Sequence, residues 1–137
     1  MDTKIYSHDA DVDVTHKTNT TELLNWISHL KYIHKELHNL INLCGEDLIN
    51  ELKKENILSE FDEKDNENET LLSTLTNYLS VRENIAECED TQCDMVFITE
   101  HETYRKTYLN HLNEYRNIKD KFYVILKGKL SLLDTIP

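Results

Sequence analysis

Seven histidines in a chain of 137 residues are its best-equipped side chains for chemistry, because imidazole is the usual protein ligand for zinc, iron and copper. His34 falls inside the apolar stripe of the first segment and His38 stands one helical turn on at its edge, so a helix would carry both rings on one face. His101 and His111 fall inside the apolar stripe of a later segment. Suppose the first helix continues past Gly45 and the chain reverses near residue 63. His34 then lies level with about residue 91, and a second reversal near residue 95 sets Glu89 level with His101. In that register His34, Glu89 and His101 form a ligand set of two imidazoles and a carboxylate for a transition metal such as zinc or iron. His38 and His111 are the substitutes. If the first helix stops at Gly45 instead, His34 moves towards Arg82 and His111, and the set dissolves.

Other chemistries lack their parts. The zincin order is not met, since His34-Lys35-Glu36-Leu37-His38 puts the glutamate third. Repeated E-x-x-H pairs, which diiron bundles need, do not occur on the inward faces. Asp9, Asp11 and Asp13 open like a calcium loop, but Val14 stands where glycine is needed and Thr20 where glutamate is needed. No Ser-His-Asp pattern and no glycine-rich phosphate loop is present, so nothing points to an enzyme. Histidines at stripe edges also serve as hydrogen-bonding partners for Tyr, Glu and backbone groups. Arg82 and Glu89, charged residues on an apolar stripe, read as a polar layer, with Arg82 meeting a carboxylate on the first helix or a tyrosine hydroxyl.

The elements that must position these residues are helices. Only 2 glycines and 1 proline occur, too few for the turns a sheet requires. Residues 1–18 read as a flexible acidic tail and residues 19–134 as one bundle domain. Asn19 with Glu22 fits a capping box for the first helix. From there Leu23, Trp26, Ile27, Leu30, Ile33, Leu37, Leu40, Ile41, Cys44, Leu48 and Leu52 share one face. Gly45 interrupts that run, which reads as one helix with a bend or two helices. The acidic, asparagine-rich residues 57–69 read as a linker. A second helix carries Leu71, Leu75, Tyr78, Leu79, Ile85 and Ala86 on one face. Thr99 and Glu102, behind Phe97, form another capping box, after which apolar residues repeat at three and four as far as Leu133. The expected fold is all-α: an up-down-up bundle of three long antiparallel helices, or four if the first breaks at Gly45.

A formal charge of −11 repels phosphate backbones and anionic membrane surfaces, which argues against nucleic-acid and membrane partners. No apolar run approaches the roughly 20 residues of a membrane span. Cys44, Cys88 and Cys93 are odd in number and hold no C-x-x-C pair, which suits a cytoplasmic location. The stretch Val81-Arg82-Glu83-Asn84-Ile85, then Phe97 and Thr99-Glu100-His101, resembles small uncharacterised all-helical proteins of Bacteroidetes with an R-E-N-I-D-E-L helix and an F-x-D-H start to the last helix. The resemblance spans residues 75–130 and implies a helical, cytoplasmic protein. The long acidic segment and Glu100 in place of aspartate depart from it.

Two functions follow. Leu24, Leu43 and Ile49, and later Ile98, Leu109, Val124, Ile125 and Leu132, lie off the main stripes. Apolar residues in such places suit a protein partner or a homo-oligomer. The alternative is a metal-binding bundle that uses the inward histidines and Glu89.

Overall fold

The structure is a computed structural model that describes the backbone of residues 2–134 and the side chains of residues 2–130. Every regular element among them is helical: α1 (Asp11–Asn42), α2 (Glu46–Lys54), α3 (Ile57–Val81), a 3-10 helix (Arg82–Glu87) and α4 (Thr91–Asp134). The all-α expectation holds, in its four-helix form. No helix of the described residues is long and apolar enough to cross a membrane.

Four boundaries are decided locally, three of them against expectation and one, at Gly45, between the two readings the sequence leaves open. First, α1 begins at Asp11, so the second half of the expected tail is helix, and His16 within it is buried. The Asp13 carboxylate accepts from the Ala10 N–H at 3.3 Å, and Asp11 and Asp13 sit where the helix dipole favours negative charge. Asn19 and Glu22 do not cap anything; both turn towards Arg105. Second, α1 ends at Asn42 and Gly45 serves as the N-cap of α2 in extended conformation. Asn56 then adopts left-handed backbone (φ 59°), a state asparagine tolerates, and turns the chain from α2 into α3. Third, the acidic segment is the first half of α3. Ile57, Phe61, Lys64, Asn68 and Leu71 are buried at helical spacing, while Asp62, Glu63, Asn66, Glu67 and Glu69 face solvent. The last helix likewise begins at Thr91, ahead of the Thr99–Glu102 pair, and Glu102 pairs with Arg105.

Side-chain contacts give the directions. Between α1 and α3, Asn68 reaches Leu30 and Asp65 reaches His34, so residue numbers run in opposite senses. Between α3 and α4, Lys64 meets Glu114 and Tyr78 meets His101, again in opposite senses. Between α1 and α4, His16 meets Asp94, His29 meets Tyr108, and Glu36 meets Lys119, so these two run alike. The core lies along this seam: Leu23, Leu30, Ile33 and Leu37 of α1, Phe61 and Leu75 of α3, and Tyr115 and Phe122 of α4, closed at one end by Leu52 of α2. Each fully buried Leu, Ile or Phe contributes about 1.5–3 kcal/mol relative to exposure.

Candidate metal centre and the buried histidine network

The break after Asn42 fixes the register that decides which histidines meet. With α2 filling the corner, His34 lies level with Asp65 and not with the segment near residue 91. The expected set of His34, Glu89 and His101 is therefore not assembled. His34 pairs with Asp65, His101 sits between Tyr78 and Glu22, and Glu89 is exposed in the turn before α4. The shift to Arg82 and His111 does not occur either. Arg82 faces His16 and Thr20, and His111 faces Asn68.

A different set forms. His34 Nδ1 lies 2.8 Å from Asp65 Oδ1, and His38 Nε2 lies 3.1 Å from Asp65 Oδ2. The two rings sit 4.5 Å apart, edge to face. One ligand atom from each residue falls within 4.8 Å of the others, and among the described residues no other group of three His, Cys, Asp or Glu converges so. The helical repeat makes this possible from α1 alone for two ligands; α3 supplies the third from the segment that composition presents as a linker. The imidazoles are more than half exposed and Asp65 is partly buried, so His34 does not face inward as its place in the apolar stripe predicts; it projects from the edge of the α1–α3 contact into solvent. Each carboxylate oxygen accepts from one ring in the ion-free protein.

The remaining inward histidines are held in hydrogen-bond chains. Glu22 can only accept, so His101 Nε2 carries the proton and donates to it at 2.7 Å. His101 Nδ1 is then free to accept from the Tyr78 hydroxyl, also at 2.7 Å. Arg82 in turn donates to the same hydroxyl at 2.8 Å, to Thr20 Oγ1 at 3.0 Å and to the His16 carbonyl at 2.8 Å. Arg82 is fully buried, and among the described residues no carboxylate lies within ion-pair distance of it. The expected polar layer thus exists, with the tyrosine hydroxyl as partner and without Glu89. Trp26 stacks on the His101 ring at 4.9 Å. At the outer end Arg105 holds Glu22 through two nitrogens.

This environment keeps the ring neutral. Burial lowers the His101 pKa, Glu22 opposes, and the Arg82 charge lowers it further, for a net fall. Burial also lowers His111, whose Nε2 donates to Asn68 Oδ1 at 2.8 Å, and His29, whose Nδ1 lies 2.5 Å from the Tyr108 hydroxyl. Burial pushes Glu22 up, but Arg105 and His101 outweigh it and hold the carboxyl below its ordinary value. The buried Lys64 ammonium is pulled down by desolvation, yet Glu114 and Glu67, both at 2.5 Å, leave it raised. Of these rings His101 is engaged at both nitrogens.

The cysteines also depart from expectation. Cys88 and Cys93 form a disulfide across the turn between the 3-10 helix and α4. Cys44 is a free, half-buried thiol that donates to the Leu40 carbonyl, and burial raises its pKa. Sequence reasoning had the His34–His38 pair but missed Asp65, whose only signal was the burial pattern of Ile57, Phe61, Lys64 and Asn68 around it. The chain matches no protein-family model, no curated protein and no solved structure.

Proposed function

We propose that the bundle binds a transition-metal ion of the zinc class at His34, His38 and Asp65. The observation that carries this reading is the convergence of two imidazole nitrogens and a carboxylate within 4.8 Å on two neighbouring helices. Ligands at the ordinary zinc distances lie about 3.3 Å apart in a tetrahedral site. The nitrogen–oxygen separations here, 2.8 and 3.1 Å, run to the two oxygens of Asp65, and a small turn of the side chains within the 4.8 Å cluster would bring one oxygen and both nitrogens to that spacing. Two borderline nitrogen donors with one oxygen suit zinc, cobalt, nickel or copper better than magnesium or calcium. The exposed side of the cluster leaves a fourth position for water or a partner's ligand. Since one helix gives two ligands and another gives the third, a bound ion ties α1 to α3.

Tag-free protein titrated with zinc, in competition with a chromophoric chelator, tests the site. The expected result is one ion per chain, lost in His34→Ala/His38→Ala. At a hundredfold excess over the dissociation constant the ion adds about 2.7 kcal/mol of stability. Equal binding by the double variant, or no binding at micromolar zinc, overturns the assignment and leaves Asp65 as a plain hydrogen-bond acceptor between helices.

Surface apolar residues favour a second reading, a protein partner or a homo-oligomer. Leu43 at the α1–α2 corner is 83% exposed and Val124 on α4 is 69% exposed, with Leu24 and Leu109 also open to solvent. Sedimentation that shows only monomer at high micromolar concentration removes self-association. As to compartment, the Cys88–Cys93 bridge withdraws the support that unpaired cysteines lent to a cytoplasmic location.

A further inference from the structure

The two ends of the bundle are held by different means. In residues 2–22 and 79–107, which form the end away from α2, every buried side chain is polar: His16, Asn19, Thr20, Arg82 and His101. That end therefore gains little from apolar burial, the dominant favourable contribution to folding. Phe97 and Ile98 of α4 are only partly buried and stand outside the core, and Met95 and Val96 beside them are about half exposed. A cleft of about 660 Å³ separates the first turns of α1 from the 3-10 helix and the start of α4, and Cys88 lines it.

Polar contacts take over part of the task. Arg82 fastens the 3-10 helix to α1 through Thr20 and the His16 carbonyl, and His101 and Arg105 fasten α4 to Glu22. These contacts stop short of the first turns of α4. Apart from the local cap, where Asp90 accepts from the Cys93 N–H, residues 91–100 are tied to the rest of the described residues by two links. One is the 2.8 Å contact between His16 and Asp94; the other is the Cys88–Cys93 bridge. The bridge closes a sequence separation of only 5, so it restrains the unfolded chain far less than a long-range cross-link would. Both cysteines are partly exposed, which opens the bond to attack by a thiol.

We propose that Cys88–Cys93 is a redox-operated clasp. Oxidised, it fastens the start of α4 to the 3-10 helix; reduced by a dithiol, it releases residues 91–100 while the apolar bundle stays folded. A thiolate of the reductant attacks one sulfur, forming a mixed disulfide as the bridge breaks, and the departing cysteine thiolate takes a proton. The reductant's second thiol loses its proton and displaces the other cysteine, which is protonated in turn. The reductant leaves as a cyclic disulfide, and the protein has gained two electrons and two protons. The released segment carries Met95, Val96, Phe97 and Ile98 in succession, so opening adds the last two to the exposed apolar surface. The clasp is separate from the histidine cluster and does not rest on the metal reading.

Hydrogen exchange of the full chain, with chelator present, before and after dithiothreitol, is the experiment. Thiol titration is expected to give one free thiol per oxidised chain, that of Cys44, and three after reduction. Amides of residues 91–100 are expected to exchange about tenfold faster or more in the reduced protein, with those of residues 23–37 and 108–122 unchanged. Oxidised dithiothreitol should restore the first pattern. Cys88→Ser/Cys93→Ser is expected to match the reduced parent and to ignore the reductant, and Cys44→Ser to respond as the parent does. A bridge that millimolar dithiothreitol leaves intact in the native protein overturns the proposal, as does unchanged exchange in residues 91–100 after reduction. Protection lost in residues 23–37 as well would make the bond a staple for the whole fold and overturn it too. All three outcomes are read on the parent chain, so they hold even if Cys88→Ser/Cys93→Ser does not fold.

Discussion

His101 and the pair His34–His38 carry the same functional group to opposite ends of the burial scale. His101 has no exposed surface, a hydrogen bond at each nitrogen and a stacked indole. Its proton is fixed by Glu22 and its lone pair by Tyr78. His34 and His38 project over half their side chains into solvent and share one carboxylate. Burial turns a potential ligand into a structural part, because water is gone and each nitrogen must find a permanent partner. At the surface the partner is replaceable. The contrast shows that the apolar stripe is a poor guide to a ligand: it selects His34, His101 and His111 alike, and the fold buries the last two while it leaves His34 in solvent beside His38 and Asp65.

If that contrast is right, the largest effects on stability come from the buried end. Arg82→Ala is expected to cost about 3 kcal/mol, through an unfilled cavity and the loss of donors to Tyr78, Thr20 and the His16 carbonyl. Denaturant unfolding at neutral pH reads it directly; a cost under about 1 kcal/mol would mean that the network is dispensable. Next in size is Tyr78→Phe. It keeps the ring and removes the hydroxyl that joins Arg82 to His101, and a loss of about 2 kcal/mol is expected from two buried groups left short of a partner.

The buried and half-buried histidines set a pH dependence. His29, His101 and His111 have folded-state pKa values below the ordinary 6.5, chiefly through burial. The unfolded chain thus takes up protons first as the pH falls through that value, and stability declines on acidification until the folded values are passed. Glu22, Glu36 and Glu114, held below their ordinary 4.5, extend the decline further down as they protonate. Thermal midpoints measured from about pH 8 to pH 5 should fall, and His101→Gln should reduce the slope between pH 7 and pH 5. A flat or rising profile would contradict neutral buried rings.

Much of the architecture was legible because apolar residues at three and four specify a helix: Leu23 to Leu37, Leu71 to Tyr78 and Tyr108 to Phe122 all lie in the core as expected. The boundaries were not. Asn19–Glu22 and Thr99–Glu102 have cap-like spacing, yet Asn19 and Glu22 serve contacts between helices and Glu102 holds Arg105, a use that local sequence cannot distinguish from capping. Residues 57–69 hid their helix because Lys64 and Asn68, polar in type, occupy buried positions between Phe61 and Leu71. Composition averages over both faces and so reported the solvated one. Taking that segment for a linker moved the hairpin turn and with it the predicted partner of His34. The pair itself survived, since four residues apart on one helix does not depend on register.

The smallest effect on the metal-free protein is expected where the proposed function lies. His34→Ala/His38→Ala removes two exposed side chains whose polar partner among the described residues is the partly buried Asp65. Exposed pairs of this kind contribute about 0–1 kcal/mol, so with chelator present the variant should unfold within that range of the parent. With excess zinc the two should separate, the parent gaining the stabilisation due to a bound ion and the variant none. An Asp65→Asn variant sharpens the point: the amide keeps a hydrogen-bond acceptor for one ring but loses the charge a divalent ion requires, so metal-free stability stays while zinc affinity falls. Equal zinc-induced shifts in parent and double variant would move the ion elsewhere. A large loss of stability in chelator would make the cluster a structural tie like the one around His101, and the difference between the two ends of the molecule would vanish.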